Sequence, residues 1–237
     1  MSLSCVHNLP ECTVAQVPQT FVRSDIDAQL RIALIFKDKF KPLNPINPKP
    51  SAIEPAGKCM KYCWDIEVLK GGALKVRTHD GSIQPESNMI IWETMRVEPL
   101  VPINNAEAVC VPYAFFVDFL SRYLLKMGIR EGEFVSFVEY WSKYFQLNGD
   151  AYYILIQPIP DGNVANYLPE MQVERPGQEP YFLKRCYFRF LPLTQPMDGV
   201  VNAREYLERL PSIDLGPKSV IDLGGELANR PFSGLKV

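Results

Sequence analysis

Histidine is nearly missing from this chain: His7 and His79 are the only two in 237 residues. A Ser-His or Cys-His catalytic pair would need one of them. His7 lies in a stretch without periodicity and His79 directly precedes an Asp80-Gly81 turn signal, so both read as surface residues. Phosphate-cradling loops are also lacking, since neither G-x-G-x-x-G nor G-x4-G-K-[S/T] occurs, and nucleotide binding has no support. There is little excess charge. A formal net charge of −2 and a pI near 5.8 provide no basic field to release counterions from nucleic acid or to hold an anionic membrane. No run approaches the roughly 18 consecutive apolar residues of a membrane-spanning helix. The opening MSLSCVHNLPECTVAQVPQT has neither a basic leader nor an uninterrupted apolar core, so no signal peptide is read there and a cytoplasmic location is expected.

Cysteine is sparse as well. Six residues (Cys5, Cys12, Cys59, Cys63, Cys110, Cys186) are dilute for a disulfide framework in a chain of this length. Cys110 and Cys186 sit in apolar segments and read as small core residues. For Cys5 with Cys12, or Cys59 with Cys63, the redox compartment rather than the spacing decides pairing. A zinc site from these four and His7 fits poorly, because the usual structural pattern repeats C-x2-C. No metal and no cofactor are expected.

What is present is ordinary for a globular chain: 47% hydrophobic and 22% charged residues. The clearest pattern runs from Pro112 to Ile159. Phe116, Phe119, Leu120, Tyr123, Leu124 and Met127 recur at helical spacing behind a first-turn proline, and Gly128 supplies the left-handed stop. A second helix begins near Glu131, with Glu133 also in its first turn and Phe134, Phe137, Val138, Trp141 and Phe145 as its apolar stripe. So short a connection makes the two a helical hairpin. Asn148-Gly149-Asp150 turns the chain into an apolar run, Tyr152 to Ile156, read as a central strand.

Upstream, Tyr62 to Leu69 alternates as a half-buried strand, Lys70-Gly71-Gly72 makes a hairpin turn, and strands follow at Ala73 to His79 and Met89 to Val97. Together they predict an antiparallel meander. Leu30 to Phe36 fits a helix or a strand equally. Five prolines between Pro42 and Pro55 predict a linker or surface loop. Later, Met171 to Glu174 looks extended, Tyr181 to Leu191 is an aromatic strand, Asn202 caps a short helix, and Val220 to Leu223 is a strand. Gly224 and Gly225 read as turn glycines. The expected organisation is an irregular proline-rich arm over residues 1–55 and a single domain over 56–237, of α+β class: an antiparallel sheet with a helical hairpin packed on one face.

Several matches then line up in order: Trp64-Asp65-Ile66 with Gly72-Ala73-Leu74, Ile91-Trp92-Glu93, the hairpin from Phe119 to Tyr140-Trp141, and Tyr152 to Ile156. From about residue 62 onward the chain resembles a group of uncharacterised conserved proteins, mostly bacterial, often exported, with no known activity. In that group the strand matching Tyr187 to Leu193 is followed by a "gF.vvEWGG" ending; Phe232 to Val237 stands where such an ending would begin and departs from that pattern. The shared motifs are mostly aromatic and apolar, so the resemblance implies a common core rather than a common reaction.

Candidate chemistry rests on two sets. Asp65 and Glu67 share a strand face and Glu93 lies on a possible neighbour; two acids held about 5 to 9 Å apart can hydrolyse glycosides, one protonated and one ionised. The bland alternative is the solvated face of a one-sided sheet. Lys184, Arg185 and Arg189, interleaved with Tyr187 and other aromatics, imitate a binding platform, although such strands are more often core with cationic stems at the edge. The leading expectation is a non-enzymatic binding or interaction module with a protein or carbohydrate partner and no nucleic acid. A carboxylate hydrolase and a structural or assembly subunit are the alternatives.

Overall fold

Proline decides less than its abundance suggests. The computed structural model describes residues 12–37, 39–97, 103–147, 151–175 and 181–228. Within them the supposed arm supplies four strands: β1 (Cys12–Arg23), β2 (Ala28–Phe36), β3 (Phe40–Asn47) and β4 (Ala52–Ala56). Then follow β5 (Cys59–Val68), β6 (Leu74–Arg77), β7 (Ile90–Val97), β8 (Val109–Pro112), β9 (Tyr153–Ile159), β10 (Glu170–Glu174), β11 (Phe182–Leu193) and β12 (Ser219–Leu227). The helices are α1 (Phe116–Lys126), α2 (Glu131–Leu147) and α3 (Ala203–Arg209).

The strands form two sheets, where one was expected. The larger runs β3-β7-β1-β12-β11-β9-β8, antiparallel except where β11 lies parallel to β12. The smaller runs β10-β2-β5-β4, with β6 also on β5, and is antiparallel throughout. The chain is thus a mixed α/β fold dominated by antiparallel pairing. The separation of an arm at 1–55 from a domain at 56–237 is corrected: β1 is interior to one sheet and β2 to the other. The prolines fit because β3 and β4 are edge strands, where a missing N–H can face away from the ladder. Pro48, in the supposed linker, accepts a 2.9 Å hydrogen bond from the indole of buried Trp64.

The meander is also corrected. β5 and β6 form the expected hairpin, but residues 83–87 return along β6 through the bridges Arg77↔Ile83 and Leu74↔Ser87. That occupies the third position, and β7 crosses instead to the larger sheet between β3 and β1.

The two faces of the larger sheet feed different clusters. On one face Ile154, Ile156, Phe188, Phe190, Ile221 and Leu223 bury with the apolar stripes of α1 and α2. Phe137 meets Phe188 at 5.9 Å between ring centres, and Trp141 meets Phe190 at 4.4 Å. On the other face Ile90, Trp92, Tyr187 and Val220 bury with Leu30, Ile32, Trp64 and Ile66 of the smaller sheet. Gly128 stops α1 at φ +77°, with Ile129 N–H donating to the Leu124 carbonyl. Arg23, at the end of β1, donates to Glu133 and, at 2.8 Å, to the Gly128 carbonyl, tying the turn between the helices to the sheet.

Gly224 and Gly225 are not turn residues. Both lie inside β12, where a Cβ on Gly225 would stand 2.8 Å from the Phe190 ring and 3.0 Å from Trp141. Glycine lets the large rings close onto the strand. Asn148-Gly149-Asp150, Cys5, His7 and Phe232 to Val237 lie outside the described residues.

Candidate functional site

Strand alternation builds the most promising site. On β2, Leu30, Ile32 and Leu34 point into the core, and on β5 Trp64, Ile66 and Val68 do the same, so Gln29, Arg31, Asp65 and Glu67 stand on the opposite, outer face. β6 repeats this with Leu74 and Val76 buried and Lys75 and Arg77 outward. Register then brings distant residues into rows. Glu174, Arg31, Asp65, Arg77 and Ile83 pair successively across the strands, and Gln29, Glu67 and Lys75 form a parallel row. These side chains line a concavity of about 470 Å³.

Most of its charges are matched internally. Arg31 clamps Asp65 with Nε–Oδ1 at 2.6 Å and Nη2–Oδ2 at 3.0 Å, and also reaches Glu54 at 3.3 Å. The hydrogen bond to Asp65 pushes the Arg31 guanidinium further above its already high value. Lys61 pairs with Glu174 at 3.0 Å, and Lys75 with Glu86 at 3.6 Å. The side chains of Glu67 and Arg77, by contrast, make no hydrogen bond or ion pair among the described residues. Beside Arg77, Ile83 is 56% exposed, an apolar side chain that lines the cleft among charged neighbours. The loop before it is firm: Asp80 accepts from the Thr78 hydroxyl and from the Ser82 N–H and hydroxyl, which hold its carboxyl down at about 2. His79 is exposed in that loop.

The three candidate acids do not converge. Asp65 and Glu67 share the cleft, two residues apart on one strand, hence about 6.5–7 Å between Cα atoms. Both Asp65 oxygens are taken by Arg31. Glu93 is elsewhere: β7 lies in the other sheet, and Glu93 faces the helix side near Tyr140 while its neighbour Trp92 faces the inter-sheet core. Burial raises the Glu93 carboxyl above the ordinary range.

The aromatic-cationic strand is interior rather than a platform. Lys184 is 5% exposed and bonds Asp161 at 2.7 Å; Arg185 bonds Asp222 at 2.9 Å and the Pro169 carbonyl at 2.7 Å. Tyr187, fully buried, donates to Glu226 at 3.0 Å, and burial raises its phenol well above the ordinary value. Arg189 donates to Glu226 at 2.9 Å and to Gln157 at 3.2 Å. Arg96 shares Glu226 at 3.2 Å, and both guanidiniums lie against the Tyr167 ring. Their partners sit on β9, β12 and the loop after β9, so the charges face inward where alternation alone suggested an edge.

Sequence reasoning missed Arg31, Lys75, Arg77, Ile83 and Glu174. Reading Leu30 to Phe36 as a strand would have placed Gln29 and Arg31 on its polar face; nothing local indicates that β10 and residues 83–87 flank it. Among the described residues, no three His, Cys, Asp or Glu side chains are placed to hold a metal ion, and Cys59, Cys63, Cys110 and Cys186 are free thiols. No described helix is long and apolar enough to cross a membrane. The chain matches no protein-family model, and neither the curated proteins nor the solved structures contain a match to it.

Proposed function

We propose that this protein is a non-enzymatic binding module whose ligand surface is the outer face of the smaller sheet. The observation that carries the reading is the 470 Å³ cleft in which Glu67 and Arg77 are left without partners while their neighbours are paired. In this reading α1 and α2 act as a helical hairpin over one face of the larger sheet, leaving the outer face of the smaller one open. The partner is a protein segment rather than a carbohydrate, because among the described residues the cleft is lined by no aromatic ring for a sugar to stack on: its lining is charged or amide side chains with the aliphatic Leu30, Ile66 and Ile83. Its cations Arg31, Lys75 and Arg77 are balanced by Asp65, Glu67 and Glu174, which offers a polyanion no net attraction. The resemblance to often exported proteins of unknown activity belongs to the same proposal.

Selection from a displayed random peptide library, followed by amide NMR titration of the enriched peptides, tests it. Shifts concentrated on β2, β5, β6 and β10 are expected. An empty selection, or shifts confined to other strands, would end the reading; binding of glycans at the same amides would replace the peptide by a carbohydrate. A hydrolase reading draws only on Asp65 and Glu67 sharing the cleft. Against any hydrolytic turnover found, Asp65→Asn and Glu67→Gln decide it: undiminished turnover in both removes it.

A further inference from the structure

We infer that the ligand of this cleft is an extended peptide carrying an apolar, an acidic and a basic side chain at alternate positions. The inference rests on the binding reading above and adds the order of the charges. Asp65 faces Arg77 across β5 and β6, so Glu67, two residues along β5, is the diagonal neighbour of Arg77. Diagonal neighbours stand about 7–8 Å apart at Cα. An extended peptide repeats its same-face side chains every 6.5–7 Å or so, close to that spacing. On the other side of Arg77 its direct bridge partner is Ile83, about 4.5–5.5 Å away at Cα and so a shorter step than the peptide repeat. Ile83, Arg77 and Glu67 therefore succeed one another across the cleft, and the complementary order is apolar, acidic, basic.

A single sign of charge would fit less well. A purely acidic segment reaching Arg77 also meets Glu67 and Glu174, and a purely basic one reaching Glu67 meets Lys75 and Arg77. Arg31 is already committed to Asp65 through two hydrogen bonds and offers little to a newcomer. Only a ligand of both signs satisfies the two unpaired groups together. Each exposed pair contributes about two- to fivefold in affinity and weakens as salt rises.

The test uses two blocked peptides, acetyl-Leu-Thr-Glu-Thr-Lys-Thr-amide and acetyl-Leu-Thr-Lys-Thr-Glu-Thr-amide, titrated into the whole protein with amide shifts as readout. The first is expected to bind several-fold more tightly, with its shifts at residues 65–67, 75–77 and 83. The double variant Arg77→Glu with Glu67→Lys reverses the preference. Should that variant fail to give a folded spectrum, Arg77→Gln and Glu67→Gln singly each shrink the difference between the peptides. Equal affinities in the wild type, no binding of either peptide, or a preference untouched by the variants overturns the inference. If the displayed library yields peptides seated on this face without the alternation, the charge order fails and the binding module stands; if it yields none, the module itself fails.

Discussion

Replacing Gly225 by alanine probes how the rings close onto the larger sheet. The new Cβ would lie 2.8 Å from Phe190 Cε2 and 3.0 and 3.1 Å from Trp141 Cζ2 and Nε1. Both rings are fully buried, and Trp141 also packs on Phe145 at 5.7 Å, so neither can swing aside into solvent. Overfilling such a core costs about 1–3 kcal/mol. Removing a glycine from a strand returns about 0.5–1 kcal/mol through the unfolded chain. The two ranges leave a net loss centred near 1 kcal/mol and reaching about 2.5, or about 2–4 °C in Tm at the centre for a chain of this size. Urea unfolding followed by tryptophan fluorescence measures it. Gly132→Ala is the control: it lies in the first turn of α2 with nothing within 4 Å of its Cβ, and it should be neutral or slightly stabilising. Adding Phe190→Leu removes one of the clashing rings, so the double variant should lose less than the sum of the singles. A Gly225→Ala protein as stable as the wild type would show that the close approach of Trp141 and Phe190 does not determine packing here.

Glu226 is 1% exposed and shared by Arg96 and Arg189, so Glu226→Gln strips two buried guanidiniums of their common counter-ion and should cost about 3–5 kcal/mol in urea unfolding. A loss below 1 kcal/mol, the scale of exposed pairs, would refute that view. For Glu93 the sign follows from burial: its folded carboxyl is raised above 4.5, so ionising it disfavours the folded state at neutral pH, and the penalty disappears as pH falls through the raised value. Glu93→Gln should therefore stabilise at pH 7 and lose that advantage on acidification; a pH-independent gain in thermal melts would contradict it. Cys186 is buried with its thiol pushed up to about 12, whereas Cys59 and Cys110 are half-buried. Alkylation at pH 8 with peptide mapping should label Cys59 and Cys110 in the native protein and Cys186 only after unfolding.

Local chemistry was legible where the deciding contacts lie within a few residues. Gly128 ends α1 in the left-handed conformation with Ile129 bonded back to Leu124, and Asn202 accepts from the N–H groups of Arg204 and Glu205 at the start of α3. The apolar stripes of both long helices were visible from spacing, and so was the hairpin turn at Gly71 and Gly72. Asp65 and Glu67 were singled out on one strand face, and they do line the cleft. Their companions were invisible because each comes from a different strand: Arg31 precedes Asp65 by 34 positions, and Glu174 follows Lys61 by 113.

Sequence alone thus determined the apolar stripes of the two long helices, the stop of the first at Gly128 and the outward face of β5, since backbone geometry and near-neighbour contacts enforce these. Only the tertiary structure decided which strands lie side by side. Pairing sent β7 to the larger sheet, made sheet strands of a proline-rich stretch, turned Lys184, Arg185 and Arg189 inward onto acids from other segments, and seated Trp141 on Gly225. Strand partnership is a long-range choice, made by whichever registers bury the most apolar surface and leave the fewest polar groups unmet, and a chain read residue by residue carries no record of it.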